Sequence, residues 1–369
     1  MQETIELNTE EIYQDYNYLH AHGETAFKET VTTNYLAKRL DEMGVSYERF
    51  DDFPGLIATI GDGSRPLIGV RSDIDALKQE YQGKVGVHHS CGHDSHMSIV
   101  LQVAKYFAAN PDAFRGTLKI IFQPAEETVT GAEAVIKTGK LPKLDYLYGL
   151  HVCAKDELSM DQAEAIIPDI ATRTYFMTIT GKTAHAGRPW LGANVIDAFT
   201  DLNERFKQIK LDTDTPYSII TTMFQAGESS NIVPDKGTLA VDLRTKTNDL
   251  MDQMQAKAFA AIDAVQGGDI KITMDENDLS PAAIPSKVAM KNMSQAITNV
   301  LGTDGLVDPV PTQGGDDFHF YTYDGVAKET TMLGLGCDLT PGLHVPGMTF
   351  DKRAMLNGAR IMIDAIRLT

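Results

Sequence analysis

Tyr175-Phe176-Met177-Thr178-Ile179-Thr180 alternates with the two-residue period of a half-buried strand, and the elements after it decide the fold. Asn194–Ile209 reads as a helix. Ser218–Gln225 and Gly237–Leu243 read as strands separated by a turn-rich stretch, Leu250–Val265 as a second helix, and Ile270–Met274 as a last strand. The order β-α-β-β-α-β is that of the ferredoxin-like split unit. Around Ser280-Pro281-Ala282-Ala283-Ile284-Pro285 the chain leaves that unit.

On either side the grammar differs. Two helices lie between Ile12 and Leu40, with Tyr35, Leu36 and Leu40 at helical spacing. Short apolar runs come next at Leu56–Ile60 and Leu67–Val70, separated by Gly61-Asp62-Gly63. Met97–Ala108 reads as a helix, and Leu118–Phe122 and Leu144–Leu150 as buried strands. Beyond the insertion come helix Ala289–Leu301, strand Thr331–Leu335 and a closing helix, Arg353–Ile366. Strands alternating with helices predict an α/β domain with a largely parallel sheet flanked by helices. The expected organisation is therefore a discontinuous α/β domain (1–172 and 284–369) interrupted by an inserted ferredoxin-like α+β domain (173–283).

Composition narrows the function. At 369 residues the chain is long enough for two domains, and 43% hydrophobic with 23% charged residues is globular rather than disordered. The net charge of −18 argues against a nucleic-acid partner, which needs a basic face, and against an anionic membrane surface. No apolar run reaches the ~18–20 residues of a spanning helix. The start, Met1-Gln2-Glu3-Thr4-Ile5-Glu6-Leu7, lacks the basic-then-apolar order of a signal peptide. Cys91, Cys153 and Cys337 are odd in number and far apart, so they form no disulfide framework. The expected compartment is the cytoplasm.

Four of the ten histidines fall in His88-His89-Ser90-Cys91-Gly92-His93-Asp94-Ser95-His96. A thiolate and an imidazole two residues apart can reach one metal or bridge two if the glycine between them lets the chain bend. The competing readings are a polar loop before a helix and a Cys/His nucleophile pair. The pair is weaker, because nucleophile and base usually come from distant segments. Further donors belong at the carboxyl ends of parallel strands. Gln123-Pro124-Ala125-Glu126-Glu127 comes directly after strand Leu118–Phe122; just past a strand end, with Pro124 fixing the bend, both carboxylates can address one cavity. One could bind metal while the other moves protons. Gly149-Leu150-His151 and Gly342-Leu343-His344 place a histidine after two other strands. Taken singly, Glu-Glu is more often a solvated turn and a strand-end histidine a satisfied core residue. Five mixed Cys/His/Glu donors at the ends of parallel strands are hard to explain as packing.

With Arg71-Ser72-Asp73-Ile74-Asp75-Ala76-Leu77 and Gly181-Lys182-Thr183-Ala184-His185-Ala186 added in order, the chain closely resembles the M20 family of metallo-amidohydrolases, from about Leu19 to the C-terminus. The resemblance is to the branch of hippurate hydrolase, auxin-conjugate hydrolases and N-acetyldiaminopimelate deacetylase. It implies two divalent metals per subunit, about 3.5–4 Å apart, with zinc or manganese favoured and cobalt or nickel also accommodated by such sites. Cys91 would bridge them, His93 and His151 completing one site, Glu127 and His344 the other. Glu126 matches the general base and acid, and Asp73 an acidic residue that orients a ligand from behind. His185 would reach the active site of a partner subunit and stabilise the oxyanion. Asn231 and Arg244 match positions on the substrate's carboxylate side, where a guanidinium pairs bidentately. Without the resemblance, His185 reads as a loop histidine and Arg244 as a surface residue.

The expected activity is hydrolysis of N-acyl amino acids to a carboxylic acid and a free amino acid. The alternatives are a dipeptide exopeptidase of the same family and, in another class, an inactive metal-binding scaffold. The inserted domain would act as a lid and join a homodimer through its edge strand or its helix Asn194–Ile209. Departures from the family pattern at Gly23, Leu77-Lys78-Gln79-Glu80 and Val345-Pro346-Gly347 lie beside the site and bear on substrate choice.

Overall fold

Unbroken apolar runs such as Leu67–Val70 need cover on both faces of the sheet they join. A computed structural model, describing residues 5–369, supplies it. Four parallel strands, Thr117–Gln123, Leu67–Asp73, Leu144–Ala154 and Ala327–Leu339, lie in that order within an eight-stranded sheet. Every residue of Leu67–Asp73 is buried. Leu56–Ile60 and Ser46–Arg49 extend one side antiparallel, and the short strands Ala163–Glu164 and Leu306–Val307 finish the other. Helices Thr9–Ala21, Thr30–Glu42, His93–Ala109, Lys287–Leu301 and Ala354–Arg367 bury Leu19, Leu36, Phe107, Met293 and Ile363 in one core with strand residues Ile68, Val70, Ile120 and Leu333. This is the expected largely parallel sheet flanked by helices, with antiparallel additions at its edges.

The second compact unit comprises Asp169–Ala283 and Gln313–Asp316. Its strands run Tyr217–Ala226, Lys236–Thr245, Ala171–Thr180, Lys271–Ser280 across the sheet, all antiparallel. Tyr175, Met177 and Ile179 alternate with partly exposed neighbours and pack with Leu202 and Phe206 of helix Val195–Lys207 and Met254 of helix Asn248–Val265. Those helices start where a side chain can take a free amide: Asn194 accepts from Ile196 N at 3.0 Å and Thr247 from Leu250 N at 3.3 Å.

Several elements differ from the sequence reading, three of them at residues that bear on the site. Strand Leu144–Ala154 continues four residues past Leu150, so His151 lies inside it, opposite Gly334, rather than after it. The helix expected from Met97 begins at His93. A hairpin, Leu77–Tyr81 with Lys84–His88, occupies a region where no strand was expected. Its side chains are mostly exposed on both faces, so it carries no apolar period, and only its turn marks it: Gln82 and Gly83 both have positive φ, 51° and 74°. Among the described residues no helix is long and apolar enough to cross a membrane.

Candidate metal centre

Cys91 and His93 flank Gly92 at the start of helix His93–Ala109. Gly92 has φ 88°, and a Cβ there would lie 2.5 Å from Val152 Cγ2, so the bend that brings thiol and imidazole together requires glycine. The second donor segment leaves strand Thr117–Gln123 through Pro124 and turns at Ala125, left-handed at φ 58°, into a 3₁₀ turn over Glu126–Thr128. That conformation is costly for a residue with a Cβ, and three consecutive amides are held in return. Glu29 accepts from Ala125 N at 3.0 Å, while the two oxygens of Asp75 accept from Glu126 N at 3.1 Å and Glu127 N at 3.0 Å. The turn sends both carboxylates the same way: His93 Nε2 lies 3.7 Å from Glu126 Oε2 and 3.9 Å from Glu127 Oε1.

Two donor triads share the Cys91 sulfur, one with His93 and His151, the other with Glu127 and His344. Cys91 Sγ is 3.3 Å from both His151 Nε2 and His344 Nε2, and His344 Nε2 is 3.5 Å from Glu127 Oε2. Zinc–sulfur and zinc–nitrogen bonds at a tetrahedral angle would set sulfur and nitrogen about 3.5 Å apart. His93 Nε2 and Glu127 Oε1 are buried with no hydrogen-bond partner, a cost that a cation would remove. The rings are aimed from behind: His93 Nδ1 donates to Asp75 O at 2.9 Å and His151 Nδ1 to Val152 O at 2.7 Å, leaving each Nε2 lone pair for a ligand. The donor set therefore fits divalent cations.

A third grouping, Asp73 with His93 and His96, is otherwise engaged. His96 Nδ1 donates to Asp73 Oδ1 at 2.8 Å and its Nε2 accepts from Val152 N at 3.0 Å, which uses both nitrogens. Asp73 Oδ2 accepts from the buried Arg71 at 2.7 Å, and Arg71 also binds Gln123 and Asp317. Burial alone would raise the Asp73 pKa, but His93, the Arg71 guanidinium and the hydrogen bond from His96 hold it well below the usual carboxylate range. Burial pushes His96 down to about 4, so it stays neutral. Burial also drives the Cys91 thiol well up and Glu127 up to about 7. The anionic forms of both residues thus depend on nearby positive charge.

Asp73 hydrogen-bonds to His96 and Arg71 rather than to any of the five expected ligands. Asp75 performs the aiming, through its carbonyl and an Oδ1 that lies 3.3 Å from His93 Nδ1. The sequence reading gave Asp75 no role, although its i, i+2 spacing from Asp73 at a strand end was a usable signal. In the second unit, His185 and Asn231 share an exposed ribbon. Ala184–His185 pairs with Ile232–Val233, Ala186 N donates to Asn231 O at 2.9 Å, and His185 Nδ1 accepts from Gly187 N at 2.9 Å. Arg244 donates to Asp242 Oδ1 at 2.8 Å and to Gln313 O at 2.6 Å.

Glu29 yields a pH prediction. It is fully buried, its Oε2 has no partner, and burial, reinforced by the charge of Asp75, raises its pKa from 4.5 to about 7. A carboxyl raised on folding binds its proton more tightly in the native state, so stability falls as pH rises from about 4.5 to 7, by on the order of 3 kcal/mol. Glu29→Gln keeps the acceptor for Ala125 N without the ionisation. Its melting temperature relative to wild type should climb across that window and then level off; parallel curves would contradict this origin.

An α/β unit that gathers two donor triads around one thiol, with a further carboxylate beside them, has the make-up of a metallohydrolase. The chain belongs to peptidase family M20/M25/M40, which residues 69–368 match. It is 26% identical over 359 residues to IAA-amino acid hydrolase ILR1-like 2 of Arabidopsis thaliana, covering 93% of this chain and 81% of that one. It is 28% identical to hippurate hydrolase of Campylobacter jejuni, covering 82% of each. The fold matches the crystal structure of Bacillus subtilis YXEP, a dinuclear metal-binding peptidase of the M20 family, with a TM-score of 0.80 at 23% identity over 97% of each chain.

Proposed function

We propose that the protein is an N-acyl amino acid amidohydrolase whose discontinuous α/β domain holds two divalent ions, zinc or manganese. The observation that carries this reading is the shared Cys91 sulfur, with His93 and His151 on one side and Glu127 and His344 on the other. When bound, the ions supply Lewis acidity to the amide carbonyl and lower the pKa of water. Glu126 groups with His93 and Glu127 but lies outside both triads that share the thiol, so the proton work falls to its carboxylate, which takes a proton from the attacking water and returns it to the leaving amine. His185 of the partner subunit donates to the oxyanion. Asn231 and Arg244 take the substrate carboxylate, Arg244 extending the pairing it already makes with Asp242.

The test is release of free amino acid from N-acetyl and N-benzoyl amino acids and from dipeptides, with and without a chelator. The expected result is metal-restored activity on the acyl amino acids. Activity untouched by chelation, or confined to dipeptides, would contradict the reading. The second copy joins through edge strand Tyr217–Ala226, where Ile220 is 57% and Met223 53% exposed. Ile220→Lys should therefore shift the protein from dimer to monomer in light scattering, and an unchanged mass would place the contact elsewhere.

A further inference from the structure

We propose that Gln79 is a positioning residue that fixes His344 and thereby sets the affinity of one donor triad independently of the other; the proposal rests on the two-triad reading above. His344 is the least anchored of the five donors. Its side chain is 59% exposed, it lies in a loop rather than on a strand or helix, and its backbone is left-handed, at φ 60°. His93 and His151 are aimed by hydrogen bonds from their Nδ1 atoms, whereas His344 is held through its backbone.

The N–H of His344 is tied directly to the loop that carries Cys91, and its carbonyl is tied to that loop through Gln79. Its N–H donates to Ser90 O at 2.6 Å. Gln79 Nε2 donates to its carbonyl at 2.8 Å, and Gln79 Oε1 accepts from Ser90 Oγ at 2.7 Å. One side-chain amide thus joins the residue before Cys91 to the metal-facing histidine, using its donor on one and its acceptor on the other. The same hairpin strand, Leu77–Tyr81, grips the loop a second time: the Tyr81 hydroxyl fills the space that a Cβ on Gly347 would need. Removing the amide frees a left-handed residue to relax, which draws Nε2 away from Cys91 and Glu127. None of these contacts reaches His93 or His151.

The experiment is titration of Zn²⁺ into metal-free full-length protein against a competing chelator, for wild type, Gln79→Ala and Gln79→Glu. Gln79→Ala loses both contacts. Gln79→Glu keeps the size and the acceptor but loses the donor to the His344 carbonyl. Wild type should bind two ions; each variant should bind one as wild type does and the other about 10–100-fold more weakly, the usual effect of losing a group behind a ligand. The melting temperature of the metal-free protein should not move, because the amide acts on the loop rather than on the core. Two ions bound as in wild type, or both weakened alike, would overturn the role of Gln79 while leaving the two-triad reading intact. Wild type that binds no Zn²⁺ would remove that reading and this proposal together.

Discussion

Replacing Glu126 with glutamine should lower the turnover of an N-acyl amino acid by about 10²–10⁴-fold while both ions remain bound. On the proposed reading the two neighbouring carboxylates divide the labour. Glu126 and Glu127 are consecutive, and the left-handed Ala125 sends both towards His93, but only Glu127 also meets Cys91 and His344. A carboxylate engaged by a cation is a poor carrier of protons, so the role falls to its neighbour. Glutamine preserves the shape and cannot accept and return a proton. The loss should therefore appear in kcat, with KM little changed and metal content equal to wild type by elemental analysis. A variant as fast as wild type would mean that another group moves the proton.

Cys91→Ala should have the widest effect on the ions, because its sulfur is the donor common to both triads. Each ion loses a ligand at once, and affinity at both sites should fall by more than the ~10–100-fold typical of changes behind a ligand. His151→Ala, by contrast, removes a donor from one triad only and should release one ion. Metal content after desalting separates the two outcomes. One tightly bound ion surviving in Cys91→Ala would show that the thiol is not shared.

The parts of this site that were legible in the sequence were those written contiguously. Cys91, Gly92 and His93 are adjacent, as are Glu126 and Glu127, so their spacing grouped these donors without knowledge of the fold. His151 was legible as a donor but misplaced in its element, because the strand reading stopped at the last apolar residue, whereas a ligand facing a cavity lets a strand continue through a polar position. The inserted unit was readable because Tyr175, Met177 and Ile179 alternate over a single buried face. The supporting groups were not. Glu29 acts on Ala125, Asp75 on the amides of Glu126 and Glu127, and Gln79 on the His344 carbonyl 265 residues away. They work through backbone atoms of distant segments, which leave no residue-type signature at either end.

Anomalous diffraction from crystals grown with Zn²⁺ tests the central claim most directly. Two peaks are predicted beside Cys91 Sγ, one also within bonding distance of His93 and His151 and the other of Glu127 and His344. A single peak, or peaks that leave the Cys91 sulfur uncoordinated, would contradict it.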